Sequence, residues 1–156
     1  MEITALIAQH LIDVHMGNNW TEVDLSGALS DVTVEEATTI TNASPNTIAA
    51  ILHHITYWNR RMVGRINGED FPESTVNGFD VPQLHSLEDW QQLKDDNLAS
   101  AQGLATAIRG FDKDKLEVPI LPGYSTAYKN LQGSVEHVHY HLGQIVIIKQ
   151  LLRHGK

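Results

Sequence analysis

Apolar residues recur three and four positions apart in four stretches of the chain, and the links between them are rich in Gly, Pro and small polar residues. The first stretch predicts a helix over residues 3–17, with Ile3, Leu6, Ile7, His10, Leu11 and Val14 on one face. A polar link follows, and a short amphipathic turn is predicted at residues 34–40, capped by Asp31 or Thr33. The second helix is expected to start at Ser44 as cap with Pro45 in its first turn, and to run along Ile48, Ile51, Leu52, Ile55, Met62 and Ile66 to Asn67-Gly68. Residues 69–85 hold Gly78 with Pro72 and Pro82 and read as a long surface loop, a kind of segment often used functionally.

The third helix opens on Ser86-x-x-Asp89, a relative of the capping box, and continues through Trp90, Leu93, Ala101, Leu104 and Ile108 to Gly110. Pro119 and Pro122-Gly123 break the next link. The fourth helix is expected from residue 125 or 131 to residue 153, with Gly155 as its stop. Strand-like alternation is absent. Four amphipathic helices with no sheet to cover predict an all-α, four-helix bundle, and 156 residues make one domain, residues 1–156.

Composition narrows the function. The chain has no cysteine, so disulfides, thiolate metal sites and a cysteine nucleophile are excluded. A net charge of -8 with scattered basic residues argues against nucleic acid as a partner. No apolar run approaches the roughly 20 residues that span a bilayer, and Met1-Glu2-Ile3-Thr4 does not open a signal peptide. A cytoplasmic protein with no membrane partner is the expectation.

Histidine is the unusual feature, with 9 in the chain, grouped at His53-His54 and at His137-Val138-His139-Tyr140-His141. The fourth helix's apolar stripe runs through Leu131, Val138, Leu142, Ile145, Ile148 and Leu152. His137 and His141, four apart, lie beside or within it, whereas His139 falls on the far side. On the second helix His54 sits at the stripe's edge on the flank of Trp58, and His53 is expected in solvent. Two imidazoles one turn apart and a third from a neighbouring helix would give a divalent ion three nitrogens and leave positions open. A hydrogen-bonded histidine core is the alternative, and spacing alone leaves both readings standing.

Other motifs fail. Val138 stands where the zincin HExxH pattern needs Glu, and Glu136-x-x-His139 lacks the second copy that a di-iron bundle requires. His10 falls mid-stripe on the first helix and Asn97 inward on the third, so each is a candidate pocket or supporting group. Gly143 suggests the close approach of another backbone or of the metal pocket. Gln144 lies on the His137 flank, where its amide can hold a ligand imidazole.

The segment Glu136-His137-Val138-His139-Tyr140-His141-Leu142-Gly143-Gln144-Ile145 resembles the last-helix motif of the DinB/YfiT superfamily. Leu52-His53-His54-Ile55-Thr56-Tyr57-Trp58 resembles its partner motif on the second helix. The resemblance selects His54 over His53, in agreement with helical phase. It implies a DinB/YfiT-like four-helix bundle with a long crossover, a three-histidine site for one divalent ion (zinc, nickel, iron or manganese), and a homodimer. It also implies a metal-dependent hydrolase or thiol-dependent transferase acting on a small molecule, such as a low-molecular-weight thiol. The ion would activate a water or a thiol as nucleophile. Trp58, Gln144, His10 and Asn97 are the expected pocket or supporting residues, joined by Tyr124, Tyr128 and the 69–85 loop. A non-catalytic metal- or ligand-binding protein of stress response is the alternative. With three histidine ligands and no thiolate, the stability conferred by the ion is expected to fade between about pH 6 and 5.

Overall fold

A computed structural model describes residues 2–155. Four long helices form the body: α1 (Ile3–Met16), α4 (Ile48–Ile66), α5 (Leu87–Gly110) and α6 (Ala127–His154). Two short helices, α2 (Leu25–Leu29) and α3 (Val34–Thr38), lie in the crossover from α1 to α4, and a 3₁₀ turn at Lys113–Lys115 precedes α6. Among the described residues there is no strand, only two isolated bridges. Contacts run α1–α5–α4–α6 and back to α1, so the chain crosses the bundle diagonally from α1 to α4 and again from α5 to α6. That order places α4 beside α6 and their histidines face to face.

Except at Ile3, Leu6 and His10 of α1, the core largely follows the apolar stripes predicted by helical spacing. Leu11, Ile51, Leu52, Ile55, Leu104, Ile108, Leu131, Ile145 and Ile148 are all buried. Trp90 is fully buried and its indole N–H donates to the Val32 carbonyl at 2.9 Å, which ties the crossover to α5. The Arg153 guanidinium bonds Asp31 and Glu36, and Lys149 also bonds Asp31, so α6 holds the same segment from its other end.

Several boundaries and one face differ from the sequence expectation. On α1 the buried set is Thr4, Ile7, Ala8, Leu11, Val14 and His15, while Ile3, Leu6 and His10 are exposed. Two overlapping three-and-four spacings exist on this helix, and packing against α5 and α6 selects the more regular one. Helix α4 starts later than Ser44: the Thr47 hydroxyl accepts from the Ala50 N–H, and Ser44 instead accepts from Asn46 in a turn. Helix α6 starts at Ala127, close to the earlier of the two expected starts, with Thr126 as its cap. Thr33 and Glu36 form a reciprocal capping box on α3, and Ser86 and Asp89 form another on α5. Helix α2, capped by Asp24, carries no signal in the sequence pattern, because five residues are too few to show a period.

Candidate metal centre

Three histidines from two adjacent helices meet between α4 and α6. His54 is buried on α4; His137 and His141 are one turn apart on α6, the first half-buried and the second buried. The Nε2 atom of His137 lies 3.0 Å from Nε2 of His54 and 3.0 Å from Nε2 of His141. Nitrogens bound at 2.0–2.1 Å to one ion, at angles of 90–110°, sit about 2.8–3.4 Å apart. The spacing fits a single first-row ion.

The outward-facing nitrogens fix the tautomers. His54 Nδ1 is 2.6 Å from the Asn77 carbonyl, and His141 Nδ1 is 2.7 Å from Oε1 of Gln144. Both acceptors lack a proton, so each neutral ring carries its hydrogen on Nδ1 and aims the Nε2 lone pair inward. His137 can offer one Nε2 proton at most, and so can satisfy only one of its two contacts. The other sets lone pair against lone pair at 3.0 Å. A cation removes the conflict, and this group of three is the one set of His, Asp or Glu among the described residues whose ligand atoms converge as a metal site needs.

Electrostatics favour the neutral, metal-ready rings. Burial pushes His137 down to about 3, with His141 and His54 adding to the effect. Burial also lowers His54 and His141, although the Asn77 carbonyl and the Gln144 amide partly offset it. Imidazolium is therefore disfavoured at the centre near neutral pH, and protonation does not resolve the lone-pair conflict there.

The 69–85 loop supplies groups that no helical period could reveal. Phe79 stacks on His54 with ring centroids 4.0 Å apart and planes 7° from parallel. Asn77 uses its carbonyl on His54 and its side-chain oxygen on the Trp58 indole N–H, at 3.0 Å. His53, expected in solvent, is half-buried, with Nδ1 2.7 Å from the Gly78 carbonyl, because the loop closes over that side of α4. Gly143 has no close backbone neighbour: it is exposed, and a Cβ there would meet nothing within 4 Å.

His10 and Asn97 go elsewhere, and neither bonds a triad imidazole. His10 lies 3.5 Å from His139, Nε2 to Nε2, between α1 and α6. Asn97 donates to Thr56 at 3.1 Å in a buried polar seam between α4 and α5. Tyr124 bonds Asp70 and lies under the Arg65 guanidinium, while Tyr128 is exposed.

Gly78 is the hinge of the loop's grip. Its φ is +74°, and an added Cβ would sit 2.6 Å from Cβ and Cγ of Tyr57. Gly78→Ala is expected to cost more than about 2 kcal/mol and to lower the melting temperature by about 5 °C or more, read by thermal unfolding. A shift below about 1 °C would show that the loop accommodates a side chain there.

Comparison with curated proteins finds no match. The crystal structure of a conserved protein from Enterococcus faecalis superposes with a TM-score of 0.73 at 19% identity, covering 100% of this chain and 99% of that one, which bears on the fold alone. A family model described as the DinB superfamily matches residues 19–145, a stretch that contains all three histidines of the site. With that match over most of its length and the helical bundle described above, the chain belongs to the DinB superfamily.

Proposed function

We propose that His54, His137 and His141 hold one divalent metal ion and that the protein is a metal-dependent enzyme for a small-molecule substrate, by hydrolysis or by thiol transfer. The carrying observation is the convergence of three Nε2 atoms, with the Nδ1 protons of His54 and His141 committed to outside acceptors. A donor set of three neutral imidazoles suits zinc, nickel, iron or manganese better than calcium or magnesium. When bound, such an ion supplies Lewis-acid chemistry, lowering the cost of forming a nucleophile near neutral pH.

The protein's own groups perform the rest. Asn77 and Gln144 hold two of the rings in one tautomer and one orientation, which raises their basicity toward a cation. Phe79 and Trp58 flank the centre and limit water around it. His137 lines a recess of about 290 Å³, so the site opens onto a cavity of substrate size rather than being sealed as structural sites are.

Protein prepared without an immobilised-metal column should carry about one equivalent of a divalent transition metal per chain. Elemental analysis, followed by chelation and titration with zinc, measures it. Less than about a tenth of an equivalent, with no rebinding, would remove the proposal.

A further inference from the structure

We propose that the recess between α4 and α6 binds a small organic anion, with its apolar body against Trp58 and Met62, its anionic group read by Lys129, and its reacting end at His137. The inference rests on the metal-centre reading above and adds the substrate class.

The recess is walled by Trp58 and Met62 from α4 and by Lys129, Gly133, Ser134 and His137 from α6. Lys129, Gly133 and His137 are spaced four apart, so they lie along one stripe of the helix. From Lys129 to His137 the helix rises about 12 Å, and side-chain reach shortens the span that a ligand must bridge. Between the cation and the histidine the stripe carries no side chain at all. A Cβ on Gly133 would meet nothing within 4 Å, so helix packing does not require glycine there. Mid-helix glycine costs helix stability, and Gly103 and Gly143 are equally open. Gly133 differs from them in lining the recess, where a longer side chain would take up cavity space.

Charge selects the ligand's sign. Lys129 has no carboxylate partner among the described residues, as is also true of Arg61, Lys94 and Arg109, but it is the basic residue that lines this recess. The chain carries a net charge of -8, and Lys129 places a positive charge at the mouth of this apolar recess. A divalent ion held by the triad would add positive charge at the opposite end. An anion with an apolar spacer satisfies both ends, while a cation is repelled by both. The Trp58 wall is rigid, since Asn77 fixes its indole N–H.

The probe is adipic monohydroxamate, whose hydroxamate chelates a divalent ion and whose carboxylate lies at the far end of a four-carbon chain. Its methyl ester is the uncharged control. Both are titrated calorimetrically into zinc-loaded wild-type, Lys129→Gln, Lys129→Arg and Gly133→Leu proteins, each with its zinc content measured. The acid is expected to bind wild type at least about tenfold tighter than the ester. Lys129→Gln should abolish that preference without weakening the ester, and Lys129→Arg should keep it. Gly133→Leu should weaken both probes at least about tenfold with zinc content unchanged. Acid affinity within about twofold of wild type in both Lys129→Gln and Gly133→Leu, at one zinc per chain, would overturn the recess proposal and leave the metal centre standing. Failure of the wild type to hold zinc would overturn both.

Discussion

Replacing His54, His137 or His141 by alanine is expected to lower zinc affinity by more than about a hundredfold in each case, measured by competition with a chromophoric chelator. Each substitution leaves two imidazoles, and a two-nitrogen remnant loses most of the advantage of a preformed site. Gln144→Ala should cost less, about tenfold, because it removes the partner that orients His141 and not a donor. His53→Ala, His139→Ala and His154→Ala should keep near wild-type affinity, since none of these rings joins the converging set. The metal-free proteins provide the second half of the test. In metal-free wild type the three rings crowd without enough protons, so metal-free His137→Ala should melt within a few degrees of it and gain nothing from zinc. Loss of zinc from His139→Ala with retention by His141→Ala would show that the wrong face of α6 has been assigned.

The contrast between His141 and His139 shows what the sequence can carry. A spacing of four residues on one helix is a local property, and it places His137 and His141 together without any tertiary contact. His54 was legible from phase and from its resemblance to a family motif. Its Asn77 and Phe79 partners were not, because they come from an aperiodic loop more than twenty residues away. The same loop explains why His53 looked solvated: helical phase reports the face, and only the tertiary fold reports what covers it. On α1 the apolar Ile3 and Leu6 drew the predicted stripe around the helix, and His10 with it. Both are exposed because packing with α5 and α6 uses the neighbouring stripe. Caps were the reverse case. Ser86 with Asp89 was readable, since that motif is closed within one turn, whereas Ser44 lost to Thr47 in a segment where several residues can cap.

The structure also changes the expected pH response of the centre. Ligand chemistry alone predicts that metal-conferred stability fades between about pH 6 and 5, as histidines of ordinary pKa, about 6.5, take up protons. In the fold, however, His137 is pushed down to about 3 by burial and its two neighbours, and burial lowers His54 and His141 as well. Metal-free His137 is therefore already neutral well below 6.5 and its two neighbours stay neutral to lower pH than a free imidazole, so protons compete with the ion only at lower pH. The gain in melting temperature from saturating zinc should stay nearly constant from pH 7.5 to 6 and shrink only below about pH 5. The metal-free fold should carry the loss instead. A base whose folded pKa is lowered contributes full stability above its unfolded value and loses it as pH falls toward the folded value. His15 joins the triad in this, being 2% exposed and lowered by burial, and one such ring removes up to about 1.4 kcal/mol per pH unit below 6.5. Metal-free protein should accordingly melt on the order of 5–10 °C lower at pH 5 than at pH 7.5. Lys149 and Arg153 hold Asp31 to about 2, and Arg153 holds Glu36 to about 2. These carboxylates lose their contribution only as pH falls through their unfolded values of 3.8 and 4.5, so they touch only the pH 4.5 point and do so equally with and without zinc. Thermal unfolding of zinc-saturated and zinc-depleted protein at pH 7.5, 6, 5 and 4.5 separates the two effects. A zinc gain at pH 4.5 equal to that at pH 7.5, with a metal-free melting temperature that does not move, would exclude histidine ligation and a buried neutral triad together.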